Sequence, residues 1–472
     1  MIIKKIVPLL TLLLVGAGCT KKEALPENSK PETQSTVNKT TKGSDNKITP
    51  GLYSLDYPSL VNNDPIKKID LFINEIDYEL DGKTFKRWVY TDKNNTPYYA
   101  GMPLILNKGQ QATINVTNNT SADTNIHWHG LALPNDQDGP GLLIKKNGGT
   151  FTYNFTPDYT GTYWYHSHNR PVRDQVDNGM YGPLVILDDT DKTYTNDQLL
   201  VLDDWVVNNE EGHMQVEGDV DTVNGLTGQD IEPITVTNGD KTKLRLVQAA
   251  TAKSTTLYFP EEVLITHTDG MPLEKPVYTK EITLAPGERY DVEMILSGKQ
   301  DKTLEIKNDR DQGLSIPINY RYDTKQKNVP TFTKSATTPK EIKTGDKDLT
   351  KPDIFVEMDS QMSINGHEWT INGEVFPDTE SFDLKKDKPY VIRFKNNNHM
   401  SNHPMHIHGA HFKVLSEDGV PLTDAIWKDT IDVSPNGYTD ILIQFDRVGE
   451  WMLHCHILDH EDGGMMTTIN VA

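Results

Sequence analysis

The chain has 472 residues, a formal net charge of −21, and 36% hydrophobic and 8% aromatic residues. That length exceeds one ordinary core and suggests about three domains, and the lean apolar content still argues against global disorder. The acidic balance argues against a nucleic-acid partner and suits cationic substrates, although charge alone mostly reports solubility.

The first elements read as an export signal. Lys4 and Lys5 precede an apolar run from Ile6 to Val15, then Gly16-Ala17-Gly18 and Cys19. Small residues before a cysteine resemble a bacterial lipoprotein signal over 1–18, with Cys19 lipidated as the new N-terminus. The alternative is an ordinary secretory signal cut nearby, with Cys19 incidental. Loss of Lys4 and Lys5 takes the net charge from −21 to −23. Residues 19–50 are Lys-, Thr-, Ser- and Asn-rich and bury too little to order themselves, which predicts a flexible tether. No second apolar stretch approaches the ~18 residues that cross a bilayer. The expected location is therefore outside the cytoplasm, anchored to the bacterial membrane by lipid. Cys455 is the only other cysteine. With Cys19 lipidated it has no disulfide partner, and a lone thiol there is an oxidation liability unless something occupies it.

Beyond the tether the pattern is all-β. Alternating runs at Gln111-Ala112-Thr113-Ile114-Asn115-Val116, Lys243-Leu244-Arg245-Leu246-Val247 and Tyr390-Val391-Ile392-Arg393-Phe394 are separated by Gly, Pro, Asn and Asp turns. Short strands without long helical periodicity predict sandwiches. A repeat is also visible. Asn118-Asn119 leads to His127-Trp128-His129-Gly130, as Asn396-Asn397-Asn398 leads to His406-Ile407-His408-Gly409. Tyr165-His166-Ser167-His168 parallels Leu453-His454-Cys455-His456. The middle third has comparable pieces, Asn238-Gly239-Asp240 and Pro286-Gly287-Glu288-Arg289-Tyr290, but no HxH. Three related sandwiches are expected at 51–190, 191–340 and 341–472, with the chemistry confined to the first and third.

Ten of the 15 histidines fall in four clusters: His127 and His129; His166 and His168; His403, His406 and His408; His454, His456 and His460. On a strand, residues i and i+2 share a face, so each HxH aims two imidazoles into one space. Imidazole suits copper, zinc and iron, and a thiolate favours copper or zinc. His403, Cys455 and His460 supply a His₂Cys site, with Met465 as weak axial ligand, the arrangement of blue-copper electron transfer. Structural zinc sites want four ligands with several cysteines, which leaves eight histidines here unexplained.

These motifs together resemble the multicopper oxidases, the family of laccases, bacterial cuprous oxidases and bilirubin oxidases. The resemblance runs over about residues 50 to 472, and no ligand position departs from it. It implies three cupredoxin-like Greek-key β-sandwich domains and four copper ions. The type 1 copper would take His403, Cys455, His460 and Met465, and the type 2 copper His127 and His406. One type 3 copper would take His129, His166 and His456; the other, His168, His408 and His454. The implied reaction is four one-electron oxidations of a small reductant coupled to reduction of O₂ to water. On a strand Cys455 points away from His454 and His456, so the two copper sites lie on opposite faces on the order of 10 Å apart. Ser167 stands at the matching place in the first domain and cannot serve as a thiolate.

Asp138 and Glu461 match positions where the family places proton-delivering carboxylates. The competing reading makes Asp138 the cap of a Gly/Pro turn and Glu461 a solvated loop acid. An axial methionine implies a low to middle potential. The reductant stays open between phenols or aromatic amines and metal ions such as Cu(I), Mn(II) or Fe(II). The Met-rich insertion that bacterial cuprous oxidases often carry is absent. Met358, Asp359 and Met362 nevertheless lie in the corresponding stretch, and His399 and Met400 precede His403, a soft set suited to Cu(I). Core methionines and a turn aspartate explain Met358, Asp359 and Met362 equally well. From another class, a blue-copper electron carrier without oxidase turnover would share the type 1 ligands, but the complete ligand set argues against it.

Overall fold

The structure is a computed structural model that describes residues 53–55, 64–187, 189–207, 217–310, 313–326, 330–332, 339, 341–364 and 366–472. The expected signal, Cys19 and the whole of the tether over 19–50 lie outside the described residues.

Alternation builds the strands. In Gln111–Asn118 the side chains of Ala112, Ile114, Val116 and Asn118 are buried and the intervening ones are not, as a half-buried sheet requires. The other two runs read from sequence become Thr242–Gln248 and Tyr390–Asn396. Gly161–His166, Tyr181–Leu187 and Thr242–Gln248 are buried at every position. Their second face meets a neighbouring sandwich: Trp164, Val185, Val201 and Val247 share one apolar cluster with Leu458 from near the C-terminus. Each such side chain removed from water contributes about 1.5–3 kcal/mol.

The sheets fall into three groups along the chain. The first has four strands within Ile66–Phe155 and three within Leu104–Leu187. The second is a ten-stranded sheet with nine strands over Asn196–Arg321 and a tenth from Tyr53–Ser54, and the third pairs a six-stranded with a five-stranded sheet over Ile354–Val471. Each group has its own core. Tyr53–Ser54 pairs with Asn196–Trp205, so this segment joins the second sheet although the sequence reading put it with the first domain.

The internal repeat is topological as well. Ile66–Leu80 lies parallel to Gln111–Asn118, Asn196–Trp205 to Thr242–Gln248, and Ile354–Ser363 to Tyr390–Asn396. Buried charges lock the groups together. Arg245, paired with Asp197 and Asp191 at 2.9 Å and Asp291 at 3.4 Å at the start of the second group, reaches Thr162 Oγ1 of the first at 3.3 Å. Arg289 meets Asp429 at 2.6 Å, and Lys428 meets Asp269 at 3.1 Å and Glu288 at 2.9 Å. Pairs of this kind specify register more than they add stability.

Candidate metal centres

Strand pairing builds the thiolate site. His403–Ile407 lies between Thr430–Val433 and Gly449–Cys455, with Met405 opposite Cys455 and His406 opposite His454. The pleat puts His403 and Cys455 on one face and His406 and His454 on the other. His460 comes from the short helix Leu458–Asp462 that follows. His403 Nδ1 and His460 Nδ1 lie 3.6 and 3.5 Å from Cys455 Sγ and 3.1 Å from each other. Met465 is fully buried beside them, held by its N–H to the His460 carbonyl at 2.8 Å and by its carbonyl to the Cys455 N–H at 3.1 Å. Burial pushes the Cys455 thiol well above its usual range and His403 down to about 4. A thiol in that setting becomes a thiolate by coordinating a metal.

The other eight histidines interleave across the first and third groups. Asn118 and Asn396 do equivalent work at the two entrances. Asn118 Nδ2 donates to the carbonyls of Ala122 and Ile144, and Asn396 Nδ2 to those of Ser401 and Val433. The paired HxH segments then stack ring on ring, His127 on His408 at 3.7 Å and His129 on His406 at 3.8 Å. All eight are buried. Gly130, at φ +86°, closes the first HxH, and a Cβ there would overlap Arg289 and Asp429.

Tautomers show what this cage is for. His127 and His406 donate through Nδ1 to the carbonyls of Asp138 and Asp429 at 3.0 and 2.9 Å, so both Nε2 carry lone pairs. Those lone pairs face each other at 3.4 Å. His408 and His454 repeat this: Nδ1 donates to Asp138 Oδ2 and the Cys455 carbonyl at 2.8 and 3.1 Å, and the two Nε2 atoms face at 3.1 Å. His168 Nε2 joins them, 3.3 Å from His454 Nε2. His166 Nε2, His129 Nδ1 and both nitrogens of His456 are buried without partners. His456 lies 4.9 and 5.4 Å, ring to ring, from His129 and His166. Opposed lone pairs repel unless a cation sits between them, and these separations suit metal–nitrogen bonds of about 2 Å.

Family models described as multicopper oxidase match residues 74–191, 159–303 and 346–472. A multicopper oxidase of Staphylococcus aureus is 32% identical over 386 residues, covering 79% of this chain and 82% of its own. The chain belongs to the multicopper oxidases. One from Mycobacterium tuberculosis is 27% identical over 423 residues, covering 77% of this chain and 79% of its own. Among solved structures, a Campylobacter jejuni multicopper oxidase described as a metallo-oxidase aligns with TM-score 0.70 at 25% identity, covering 87% and 93% of the two chains. A laccase of Pediococcus acidilactici aligns with TM-score 0.74 at 24% identity, covering 87% and 91%.

The chain is thus an oxidoreductase with oxygen as acceptor and four copper ions as cofactors. In this oxidase Asp138 and Glu461 are 2% and 0% exposed, which removes the solvated-acid reading of Glu461. Asp138 touches two of the stacked histidines, through its carbonyl to His127 and its carboxylate to His408, and its Oδ1 lies 3.5 Å from His127 Nδ1. Glu461 lies 3.1 Å from His454 Nδ1 and 3.5 Å from His168 Nε2, one carboxylate oxygen toward each imidazole. Burial raises Glu461, but those imidazoles outweigh it and hold the carboxyl at about 2.

The expected substrate residues separate. Met358 is fully buried in the third core, because it shares the inward face of its strand with Val356, so it is not available at the surface. Asp359 is exposed, and its charge reaches His403. Met362 and Met400 are 78% and 91% exposed, and exposed His399 contacts Asn436. Sequence reasoning missed Trp369, which stacks on His460 at 3.6 Å and meets His403 edge-on at 5.5 Å. It also missed exposed His367, 4.6 Å from Trp369 and directly across from Met362. An aromatic and a histidine in an ordinary strand carry no local mark of such a role. Among the described residues the middle group supplies no histidine to the cluster, yet it reaches the cluster through Gly287 and Arg289.

Proposed function

We propose that the reductant of this multicopper oxidase is Cu(I), taken up by exposed sulfur and imidazole donors outside the type 1 site. The observation that carries this reading is the hairpin Ile354–Ile371, where Met362 and His367 share the strand face of Trp369, the ring stacked on His460. The turn bearing His399 and Met400 is tied to the same hairpin by Asn398 Nδ2 donating to Ser360 Oγ at 3.1 Å. Thioether, imidazole and the nearby Asp359 carboxylate make a soft, anionic set suited to a monovalent copper ion. The metallo-oxidase description of the Campylobacter jejuni relative supports the same class of reductant.

The donor atoms fit the ligand sets given above: His403, Cys455, His460 and Met465 for type 1; His127 and His406 for type 2; His129, His166 and His456, and His168, His408 and His454, for the type 3 pair. Copper held by these residues would supply one-electron oxidation of the reductant at the type 1 set and four-electron reduction of O₂ to water at the eight-histidine cluster. Cys455 joins His454 and His456 through single peptide units, the shortest bonded route between the two sites. Asp138 and Glu461 are buried carboxylates in contact with the cluster imidazoles and carry the protons that oxygen reduction consumes.

Oxidation of Cu(I) outside the cytoplasm fits a part in copper tolerance, with lipidated Cys19 holding the enzyme at the membrane. Cys19→Ala should then release activity from the membrane fraction, and retention there would sink the anchor. For the substrate, oxygen uptake with Cu(I), Fe(II) and a phenol is the test. Replacing Met362 and Met400 with Ala should raise KM for Cu(I) about tenfold, the equivalent of ~1.4 kcal/mol of binding, and leave kcat for the phenol intact. An unchanged KM for Cu(I), or a phenol preferred by the parent enzyme, would identify an organic reductant.

A further inference from the structure

We infer, on the ligand reading above, that Asp429, clamped by Arg289 of the middle sandwich, is a positioning residue that fixes which nitrogen of His129 faces the copper cluster. Among the cluster histidines with an assigned tautomer, His127, His166, His406, His408 and His454 donate through Nδ1 and turn Nε2 inward. His129 is reversed. Its Nε2 lies 3.1 Å from both Asp429 Oδ1 and Thr430 Oγ1, and its Nδ1 is buried without a partner. A carboxylate only accepts, so Asp429 forces the proton onto Nε2 and leaves the lone pair on Nδ1. The same residue serves type 2 ligand His406, whose Nδ1 donates to the Asp429 carbonyl at 2.9 Å.

Arg289 keeps Asp429 in that supporting place. Its Nη1 and Nη2 donate to Oδ1 and Oδ2 of Asp429 at 2.8 and 2.6 Å, a fork that occupies both oxygens. The restraint matters because a donor atom of Asp429 lies within 4.8 Å of those of His129 and His406, close enough to compete for metal. Asp269, also from the middle sandwich, accepts from the backbone N–H groups of Asp429 and Thr430 at 3.2 Å. Thr430 Oγ1 also donates to Oδ1 at 2.8 Å, and His406 Nδ1 and His411 Nε2 face Oδ1 and Oδ2 at 3.5 and 3.6 Å. A sandwich without a single copper ligand thereby sets the orientation of one.

The test uses the full-length, copper-loaded enzyme, with copper per chain, the type 2 electron paramagnetic resonance signal, the type 1 blue band and the thermal midpoint as readouts. Asp429→Ala should keep the blue band and lose type 2 and type 3 copper, with affinity for them about 10- to 100-fold weaker. Asp429→Asn, which still accepts from His129, should restore part of it. Lys428→Met breaks the same interface without touching a histidine, and should lower the midpoint while keeping the type 2 signal. An Asp429→Ala enzyme with full copper and an unaltered type 2 signal overturns the inference, as does equal loss in Lys428→Met. Should Asp429→Ala not fold, Arg289→Lys answers: a changed type 2 signal supports the clamp and an unchanged one refutes it. A parent enzyme that lacks the type 2 signal and holds no copper beyond one ion per chain would instead refute the ligand reading itself.

Discussion

Each imidazole of known tautomer commits one nitrogen to a neighbouring oxygen, and that commitment decides what its other nitrogen does. Glu461 sits among these rings as a buried carboxylate, 3.1 Å from His454 Nδ1 and 3.5 Å from His168 Nε2. Replacing it with Gln keeps the shape and removes the proton acceptor. Glu461→Gln should slow reoxidation of the reduced enzyme by O₂ on the order of 100-fold, within the range for a positioned acid or base, and leave the blue band unchanged. Stopped-flow reoxidation measures this; a bleached blue band would show that Glu461 shapes the type 1 site instead. The HxH pairs and Cys455 stood out in the sequence because their spacing is local and their chemistry rare. Asp429 did not, since one aspartate among 68 acidic residues, 300 positions from His129, carries no mark.

At the level of elements, strand alternation turned His454-Cys455-His456 into two sites on opposite faces, as its period of two requires. Met358 obeyed the same rule, and its strand face decided that it packs into the core. The turn at Pro286–Arg289 shows what alternation does not reveal. Gly287, at φ +88°, brings backbone against the cluster, and a Cβ there would sit 2.9 Å from His456 Cδ2 and 3.2 Å from His129 Cε1. Gly287→Ala combines left-handed strain with overpacking, a destabilisation of about 2–4 kcal/mol. Thermal unfolding should show that loss, and metal analysis should show depleted cluster copper with the type 1 copper retained. Full copper occupancy would mean that the turn moves aside freely. The sequence carried the glycine in plain view, but a glycine before Glu and Arg reads as any other turn.

For the whole molecule, the buried histidines make stability without copper depend on pH. Burial holds His168 at about 3 and His403 and His406 at about 4, with His129, His166, His408, His456 and His460 also well below 6.5. Only His454 moves up: burial lowers it, but Glu461 prevails. Unfolded, all titrate near 6.5, so below that pH the unfolded state binds more protons than the native state. The stability is present above pH 6.5 and is lost as pH falls towards 4. The thermal midpoint of copper-free enzyme should fall steeply across that window, with proton uptake on unfolding. A flat midpoint would mean that the cage already opens to water. Copper loading at neutral pH should release protons as the Cys455 thiol ionises, which an unbuffered titration records.

The strand pattern, the family and the His and Cys clusters at 127–129, 166–168, 403–408 and 454–460 were legible in the sequence alone. These rest on local spacing, on the side-chain chemistry of His, Cys and Met, and on a repeat visible without coordinates. Tertiary structure decided the rest. It set His127 Nε2 against His406 Nε2 across 279 residues, laid Trp369 over His460, turned Met358 inward, and brought Arg289 from the middle sandwich to Asp429. Each of those depends on which sheet face packs on which, a long-range contact that no short stretch of chain encodes.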